Sequence, residues 1–197
     1  MNAIVYDLEI IKAVPSKNGE FLNGIEYCDG WHDHKNMGIS VIGCYDYGAS
    51  RYRTFCKDNF QEFRELAREA DSLVSFNGIG FDNKVLEACG LPLLRNGENY
   101  YDILREIWIA DGLGPEFVYP THTGYGLNEV ARINLNAGKT GHGAVAPVDW
   151  QRGNIGRVID YCLEDVRLTK RLFDRILATH GLRSPKDGRR FLEMRKP

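Results

Sequence analysis

The sequence predicts an α/β domain with a mixed β-sheet, and three observations predict it. Residues 3–10 are rich in β-forming apolar side chains, which is typical of a buried strand. Residues 38–47 and 51–56 have the same character and are separated by a Tyr-Gly-Ala-Ser turn, so we expect them to pair antiparallel. From residue 59 onward, helical and strand-like segments alternate, which favours helices packed on a sheet.

The other elements follow from hydrophobic spacing along the chain. Residues 59–70 carry apolar side chains at helical spacing, and residues 72–76 form a short apolar strand. The further predicted elements are a helix at 82–89, a strand at 100–104 that leads into a helix through 110, a helix that begins near 126, and an amphipathic helix from 155 to about 179. Residues 11–36, with room for a hairpin, and the glycine-rich residues 137–147 are predicted to be irregular.

Composition favours one compact, soluble domain. The chain has 197 residues, of which 43% are hydrophobic and 26% are charged, as in ordinary globular proteins. No run approaches the about 18 apolar residues of a membrane span, and the first residues do not resemble a signal peptide. The five cysteines form no CxxC pair, so we expect neither a disulfide framework nor a structural zinc site, and we expect a cytoplasmic protein.

The charge is distributed unevenly. The formal net charge is -2, which counts mildly against a nucleic-acid binder. Residues 181–197, however, hold six basic residues against Asp187 and Glu193. We therefore divide the chain into a domain at 1–180 and a basic C-terminal tail at 181–197, which either contacts a phosphate backbone or is a solvated, frayed end.

Two carboxylates lie in the first predicted strand. Residues two apart in a strand point to the same face, so Asp7 and Glu9 are expected to project side by side. An ordinary polar strand face is the alternative. The apolar neighbours favour a functional pair, because buried charges are costly unless a partner such as a metal ion compensates them.

A second motif joins a short strand to a helix. Asn77 leaves the strand at 72–76, a glycine-containing turn follows, and Phe81-Asp82 begins the next helix. The Asp82 carboxylate is then expected at the edge of the sheet, where acids of another strand would also point. The alternative is that Asp82 only caps the helix.

A third motif lies in the long last helix. Tyr161 and Asp165 are four residues apart, so they share one helix face. The alternative is that Tyr161 is half-buried core and Asp165 is solvated.

Together the three motifs indicate a family. They are Asp7-x-Glu9, Asn77-x3-Phe81-Asp82 and Tyr161-x3-Asp165. In this order they resemble the DEDD 3'→5' exonucleases, in the tyrosine-bearing DEDDy branch that includes polymerase proofreading domains and RNase D-like enzymes. The sister DEDDh branch has a histidine five residues before the last aspartate, where this chain has Asp160. The resemblance implies an RNase H-like fold, with a five-stranded mixed sheet whose first three strands are antiparallel.

The resemblance also implies the chemistry. Two divalent ions can activate water and neutralise a phosphodiester, and oxygen ligands favour Mg²⁺ or Mn²⁺. By resemblance, Asp7 bridges both ions, Glu9 and Asp165 hold the ion that activates water, and Asp82 supports the second ion. Tyr161 aims the attacking water, because a tyrosine with a pKa near 10 is a poor general base at neutral pH.

Other residues are assigned more loosely. Leu8 and Phe81 are expected to contact the terminal base or sugar, and Asn77 the incoming strand, with core packing of Phe81 and turn formation by Asn77 as alternatives. Asp102 is interpreted as a helix cap, and the segment 31–34, Trp-His-Asp-His, as a structural loop rather than a metal site. The cations before the last helix meet substrate phosphate or are solvated: Lys139, His142 and Arg152.

Three functional hypotheses follow. The first is a metal-dependent exonuclease that acts on single-stranded DNA or DNA 3' ends. The same chemistry on RNA is its nearest alternative, and DNA is favoured because no helical RNA-binding domain fits in this length. The second is a non-catalytic nucleic-acid binding module on the same fold, and the third an endonuclease or resolvase, which the last two motifs disfavour.

Overall fold

The computed structural model of the chain describes residues 1–16, 18, 21–93, 99–139, 141 and 143–197. A five-stranded mixed sheet forms its centre, in the order β3-β2-β1-β4-β5. Its strands are β1 (Ala3–Ile10), β2 (Ile39–Asp46), β3 (Arg51–Phe55), β4 (Ser72–Ser75) and β5 (Tyr100–Asp102). Strands β1, β2 and β3 pair antiparallel, whereas β4 and β5 run parallel to β1, so the predicted fold class is confirmed.

Helices cover both faces of this sheet. They are α1 (His34–Met37), α2 (Phe60–Glu69), α3 (Asp82–Ala88), α4 (Ile103–Ala110), α5 (Leu127–Leu135), α6 (Ala146–Gln151) and α7 (Ile155–Thr179). One core cluster packs α4, α5 and α7 on the sheet, and a second packs α2 and α3 on the opposite face. The middle strand β1 contributes to both clusters, with Val5 on the α7 side and Tyr6 on the other. This strand therefore lies between two buried layers.

Two stretches are more ordered than predicted. The glycine-rich stretch was expected to be irregular through residue 147, but a 3-10 turn at Gly143–Val145 and helix α6 occupy its end, and Pro147 lies in the first turn of α6. Residues 181–197 contain a hairpin of β6 (Gly181–Arg183) and β7 (Phe191–Glu193). Leu182 and Leu192 of this hairpin are buried in the α7-side cluster, so this part of the C-terminal segment is not frayed.

Residues 11–36 are mainly irregular in their described part, as predicted. Among these described residues, an isolated bridge joins Ala13 to Tyr27, and α1 begins near the end of the range. The described residues of this range do not form the hairpin that the sequence allowed, since a hairpin requires antiparallel pairing and this bridge is parallel. Within the described part of the chain, no helix has the length and apolar character needed to cross a bilayer.

Candidate active site

The alternation of β1 separates its carboxylates from its apolar side chains. Tyr6 and Leu8 point into the α2–α3 cluster, so Asp7 and Glu9 point to the opposite face, under α7. Glu9 is 7% exposed, and Asp7 keeps partial contact with solvent although protein surrounds it on most sides. The two carboxylates therefore do not lie on a fully solvated strand face.

Helix α7 approaches this strand closely because β2 contains a glycine. Gly43 pairs with Asp7 across the sheet, and a Cβ at Gly43 would lie 2.9 Å from the Cys162 Sγ. The Cys162 thiol donates to the carbonyl oxygen of Asp7 at 3.6 Å. Cys162 lies between Tyr161 and Asp165 in the helix, so this contact directs the third motif toward the carboxylates of β1.

The second motif reaches β1 from the other side. Helix α3 begins at Asp82, with Phe81 at the cap position, and the Asp82 Oδ1 accepts a hydrogen bond from the Leu8 backbone at 3.2 Å. The Tyr6 hydroxyl donates to the Asn83 side chain and further ties α3 to the strand. Asp82 is 4% exposed and bonded to the strand that carries Asp7 and Glu9, so capping does not describe its position.

Three carboxylates meet on the α7 side. Asp7, Glu9 and Asp165 each present an oxygen, and these atoms all lie within 4.8 Å of one another. Asp165 is 4% exposed, so the alternative that it is solvated is wrong. We call these three residues the carboxylate cluster.

The carboxylate cluster is electrostatically unfavourable without cations. Burial, followed by the charges of Asp82 and Asp165, raises the pKa of Asp7 well above its ordinary value. Burial and the Asp165 charge do the same to the pKa of Glu9, and burial raises the pKa of Asp82 to about 7. Such shifts arise when neighbouring acids share a poorly solvated site. The site therefore favours either protons or bound cations.

Lys139 supplies one internal cation. Its Nζ donates to Asp165 Oδ2 at 2.5 Å and to the Tyr161 hydroxyl at 3.2 Å. Burial alone would lower the pKa of Lys139, but the Asp165 charge and this hydrogen bond outweigh it and raise the pKa. The sequence placed Lys139 only near the last helix, as a phosphate contact or a solvated residue, because nothing local indicates a partner 26 positions later.

The donor set fits a divalent metal. Among the described residues, the buried Oδ1 of Asp165 has no hydrogen-bond partner, which is costly unless another group compensates it. Clustered carboxylate oxygens are the ligands that Mg²⁺ and Mn²⁺ prefer. Lys139 neutralises one negative charge of the carboxylate cluster, and the remaining negative charge favours binding of a further cation.

Tyr161 borders the carboxylate cluster. Its hydroxyl accepts from Lys139, and a Cβ at either Gly141 or Gly143 would lie within 3.3 Å of its side chain. Burial, and next the Asp165 charge, raises the pKa of Tyr161 above its ordinary value. The phenol therefore stays protonated at neutral pH and can hold a hydrogen bond without acting as a base.

The predicted substrate-contact residues differ in their surroundings. The Leu8 side chain is 4% exposed and packs in the α2–α3 cluster, away from the carboxylate cluster. Leu8 contacts the site through its backbone N–H, which donates to Asp82. Asn77 has a left-handed φ of 69°, and its backbone N–H donates to Asp102 at 2.9 Å. Phe81 is half-buried against Trp31. Their contact with a substrate stays a prediction.

The remaining sequence candidates have mainly structural surroundings. Asp102 accepts from Leu104 and Arg105 at the start of α4, so its assignment as a cap is confirmed. Asp33 accepts from Asn36 and from the Asp29 backbone, in keeping with a structural loop. Arg152 is exposed after α6, and His142 lies outside the described residues.

The comparison with protein-family models agrees with this fold. The family model of the RNase_H superfamily matches residues 25–177, which is most of the chain, and the chain therefore belongs to this superfamily. No curated protein sequence matches it. Among solved structures, it is similar to the family B DNA polymerase from the hyperthermophilic archaeon Pyrobaculum calidifontis, with 15% identity and a TM-score of 0.47. The match covers 90% of this chain and 24% of the polymerase, so the chain spans about a quarter of that protein's length.

Proposed function

We propose that this member of the RNase_H superfamily is a metal-dependent 3'→5' exonuclease that hydrolyses phosphodiester bonds at nucleic-acid 3' ends, with DNA as the favoured substrate. The observation that carries the proposal is the approach of Asp7, Glu9 and Asp165 within 4.8 Å. A fourth acid, Asp82, is hydrogen-bonded to the same strand, and Tyr161 borders the cluster. Superfamily membership supports a nuclease, and the order of the three motifs supports the DEDDy exonuclease branch.

The proposed metal ligands are Asp7, Glu9, Asp82 and Asp165, which would hold two divalent ions, Mg²⁺ or Mn²⁺. When bound, the ions supply neutralised phosphate oxygens and an acidified water. Burial and neighbouring charges raise the pKa of Asp7 and Glu9, so bound cations would stabilise the charged form of these carboxylates.

Tyr161 and Lys139 would orient the reacting groups. The Tyr161 hydroxyl is neutral at pH 7 and would hold the attacking water by a hydrogen bond, without removing its proton. Lys139 holds Tyr161 and Asp165 together and would place one positive charge beside the scissile phosphate. Orientation of this kind contributes to rate because the water no longer has to find its geometry.

Leu8, Asn77 and Phe81 are proposed as contacts to the terminal nucleotide, by resemblance to the family motifs. We propose an exonuclease domain at residues 1–180 followed by a basic C-terminal segment at 181–197, whose hairpin packs against that domain. A reducing, cytoplasmic setting is proposed because all five cysteines are free thiols.

The direct test uses 5'-labelled single-stranded DNA and RNA of one sequence, with Mg²⁺, with Mn²⁺ and with chelator. We expect a metal-dependent ladder that shortens from the 3' end, with DNA degraded faster than RNA. A circular single strand is the matched control, since it has no 3' end and should stay intact. Cleavage of the circle would instead assign an endonuclease, faster degradation of RNA would assign an RNase D-like enzyme, and no cleavage with retained binding would assign a non-catalytic binding module.

A further inference from the structure

A cleft of about 700 Å³ lies next to the proposed active site. It opens where β4 and β5 end, since Asn77 follows β4, Asp102 ends β5, and both line it. Strands β1, β4 and β5 run parallel, so the cleft lies along the same sheet edge as the acids of β1. Its volume is within the about 300–1,000 Å³ of sites that bind small-molecule ligands.

Two groups of packed aromatic side chains line this cleft. In the first, the Trp31 ring packs against Phe81, with 5.7 Å between centroids. In the second, Trp108 packs against Phe117 at 6.2 Å and against His122 at 4.8 Å. Trp31 is 63% exposed and Phe117 is 59% exposed. Large aromatic rings left in water beside a cleft are typical of a binding surface, because contact with a ligand removes them from solvent.

Two cations stand at the cleft without an acidic partner. Lys84 lines it, and the Lys186 Nζ lies 4.9 Å from the centroid of Tyr125, which also lines it. Within the described part of the chain, neither lysine forms an ion pair. Both are exposed, so both ammonium groups are available to an anionic ligand.

The acids that line the cleft are already compensated. Asp102 accepts backbone hydrogen bonds from Asn77 and Ile79 as well as from the first turn of α4. Glu116 pairs with Arg105 at 3.6 Å. The uncompensated charge of the cleft is therefore positive, although the chain as a whole has a net charge of -2.

The C-terminal hairpin holds Lys186 in place. Asp111, at the end of α4, accepts from the Tyr125 hydroxyl at 2.6 Å and from the Ser184 hydroxyl at 3.0 Å. It also pairs with Arg190 on the far side of the hairpin loop. The loop that carries Lys186 is thus fastened to the cleft by a side chain that is almost fully buried.

We propose that this cleft binds the single-stranded segment immediately 5' of the terminal nucleotide. Unpaired bases stack on Trp31 and Phe117, and the backbone phosphates lie against Lys84 and Lys186. The 5' direction of the segment rests on the proposed exonuclease function, because the terminal phosphodiester must reach the carboxylate cluster. Exposed aromatic rings and unpaired cations at one cleft suit unpaired bases, whose faces are free, rather than a stacked duplex.

Binding is measured in the Asp7→Asn background, in which the proposed cleavage is removed. A 5'-fluorescein-labelled oligothymidylate is titrated with protein, and anisotropy gives the Kd. We expect Phe117→Ala and Trp31→Ala each to raise the Kd about tenfold, since one lost base stack corresponds to roughly 5- to 150-fold. The matched control is Phe191→Ala, which removes a 46% exposed aromatic of β7 that does not line the cleft, and it should stay within twofold.

Lys186→Ala tests the phosphate contact separately. Loss of one phosphate contact should reduce the slope of log Kd against log salt by about 0.7. Lys57→Ala, an exposed lysine between β3 and α2, is the control and should leave the slope unchanged. With an oligonucleotide that has abasic sugars at the second and third positions from its 3' end, Phe117→Ala should no longer raise the Kd. Lys186→Ala should still reduce the salt dependence of the Kd.

The outcomes separate this inference from the exonuclease proposal. If the three cleft variants stay folded by circular dichroism and bind every oligonucleotide within twofold of the background protein, the inference is overturned, whether or not the wild type cleaves. If they bind more weakly while the wild type cleaves nothing, the cleft is upheld and the exonuclease is not. Trp31→Phe keeps a stacking face, so its near-normal Kd would show that Trp31→Ala acts through stacking rather than through misfolding.

Discussion

The buried carboxylate of Asp102 and the carboxylate cluster differ in which groups compensate their negative charge. Asp102 is 3% exposed, yet backbone N–H groups of two segments donate to both of its oxygens. In the carboxylate cluster of Asp7, Glu9 and Asp165, Lys139 is the internal cation, and one Asp165 oxygen has no partner among the described residues. A buried acid compensated by the backbone stabilises the fold, whereas an acid that the protein leaves uncompensated favours an external cation.

The largest expected effect comes from removing a charge of the cluster. Asp7→Asn should reduce cleavage by about 1,000-fold or more, because the Asp7 carboxylate interacts electrostatically with all three other acids of the site. The same change should leave stability unchanged or raise it at pH 8 by about 1 kcal/mol, since it relieves the burial cost and the repulsion from Asp82, Asp165 and Glu9 that raise the pKa of Asp7. Single-turnover cleavage and urea unfolding measure the two effects, and a large loss of stability would contradict the assignment.

Tyr161→Phe removes a hydroxyl and leaves the ring. We expect the rate to fall about 100-fold, as for a misaligned reactant, with Mn²⁺ affinity unchanged because no carboxylate is lost. The pH profiles of the cleavage rate should have the same shape for the variant and the wild type, since a neutral phenol does not titrate near pH 7. A variant profile that lost a titration step would show instead that Tyr161 acts as a base.

Lys139→Met tests the internal cation. The rate should fall about tenfold, since Asp165 and Tyr161 lose their shared donor. Mn²⁺ should bind several-fold more tightly, because the variant removes a competing positive charge from the cluster. Isothermal titration measures the affinity, with Lys57→Met as the control, and weaker Mn²⁺ binding would contradict this role.

Asp102→Asn should give the opposite pattern from Asp7→Asn. An amide cannot accept from Ile79 and Asn77 with both of its ends, so we expect a loss of roughly 1–3 kcal/mol in unfolding free energy. The rate constant at saturating substrate should stay within a few-fold. If Asp102→Asn abolished cleavage in a folded protein, the separation of structural from metal-binding acids would fail.

The smallest effect is a pH dependence of stability in the absence of metal. Asp7, Glu9, Asp82 and Asp165 have pKa values raised by burial in the folded state, so the folded chain binds more protons than the unfolded chain above about pH 4. Their contribution therefore lowers stability as pH rises from about 4, and for Asp82 this continues to about pH 7. Mn²⁺ should raise Tm by more at pH 8 than at pH 5, whereas an equal rise at both would contradict the account.

Long periodic elements were predictable from sequence and short ones were not. The predicted limits of β1 and α7 match Ala3–Ile10 and Ile155–Thr179, because each has an uninterrupted pattern of apolar residues. Helix α6 was missed because glycines surround it, although Pro147 near its start was a usable signal. The hairpin β6–β7 has only three residues a strand, too few for alternation to stand out.

The site was predictable in its acids but not in its internal cation. Strand periodicity predicted that Asp7 and Glu9 share a face, and helix periodicity predicted the same for Tyr161 and Asp165. The approach of Asp165 to the acids of β1 was implied only by the family resemblance. Lys139 depends on how a loop folds back over α7, and the Lys186 contact depends on the hairpin that carries it. Both are tertiary contacts, which no local pattern specifies.

The central claim is that the carboxylate cluster, and not the buried helix cap Asp102, binds the divalent ion. Electron paramagnetic resonance of free Mn²⁺ during titration of wild type, Asp7→Asn and Asp102→Asn tests it most directly. The account predicts that the wild type and Asp102→Asn remove Mn²⁺ from solution with similar affinity, and that Asp7→Asn loses most of this binding. Equal binding by wild type and Asp7→Asn would contradict the account.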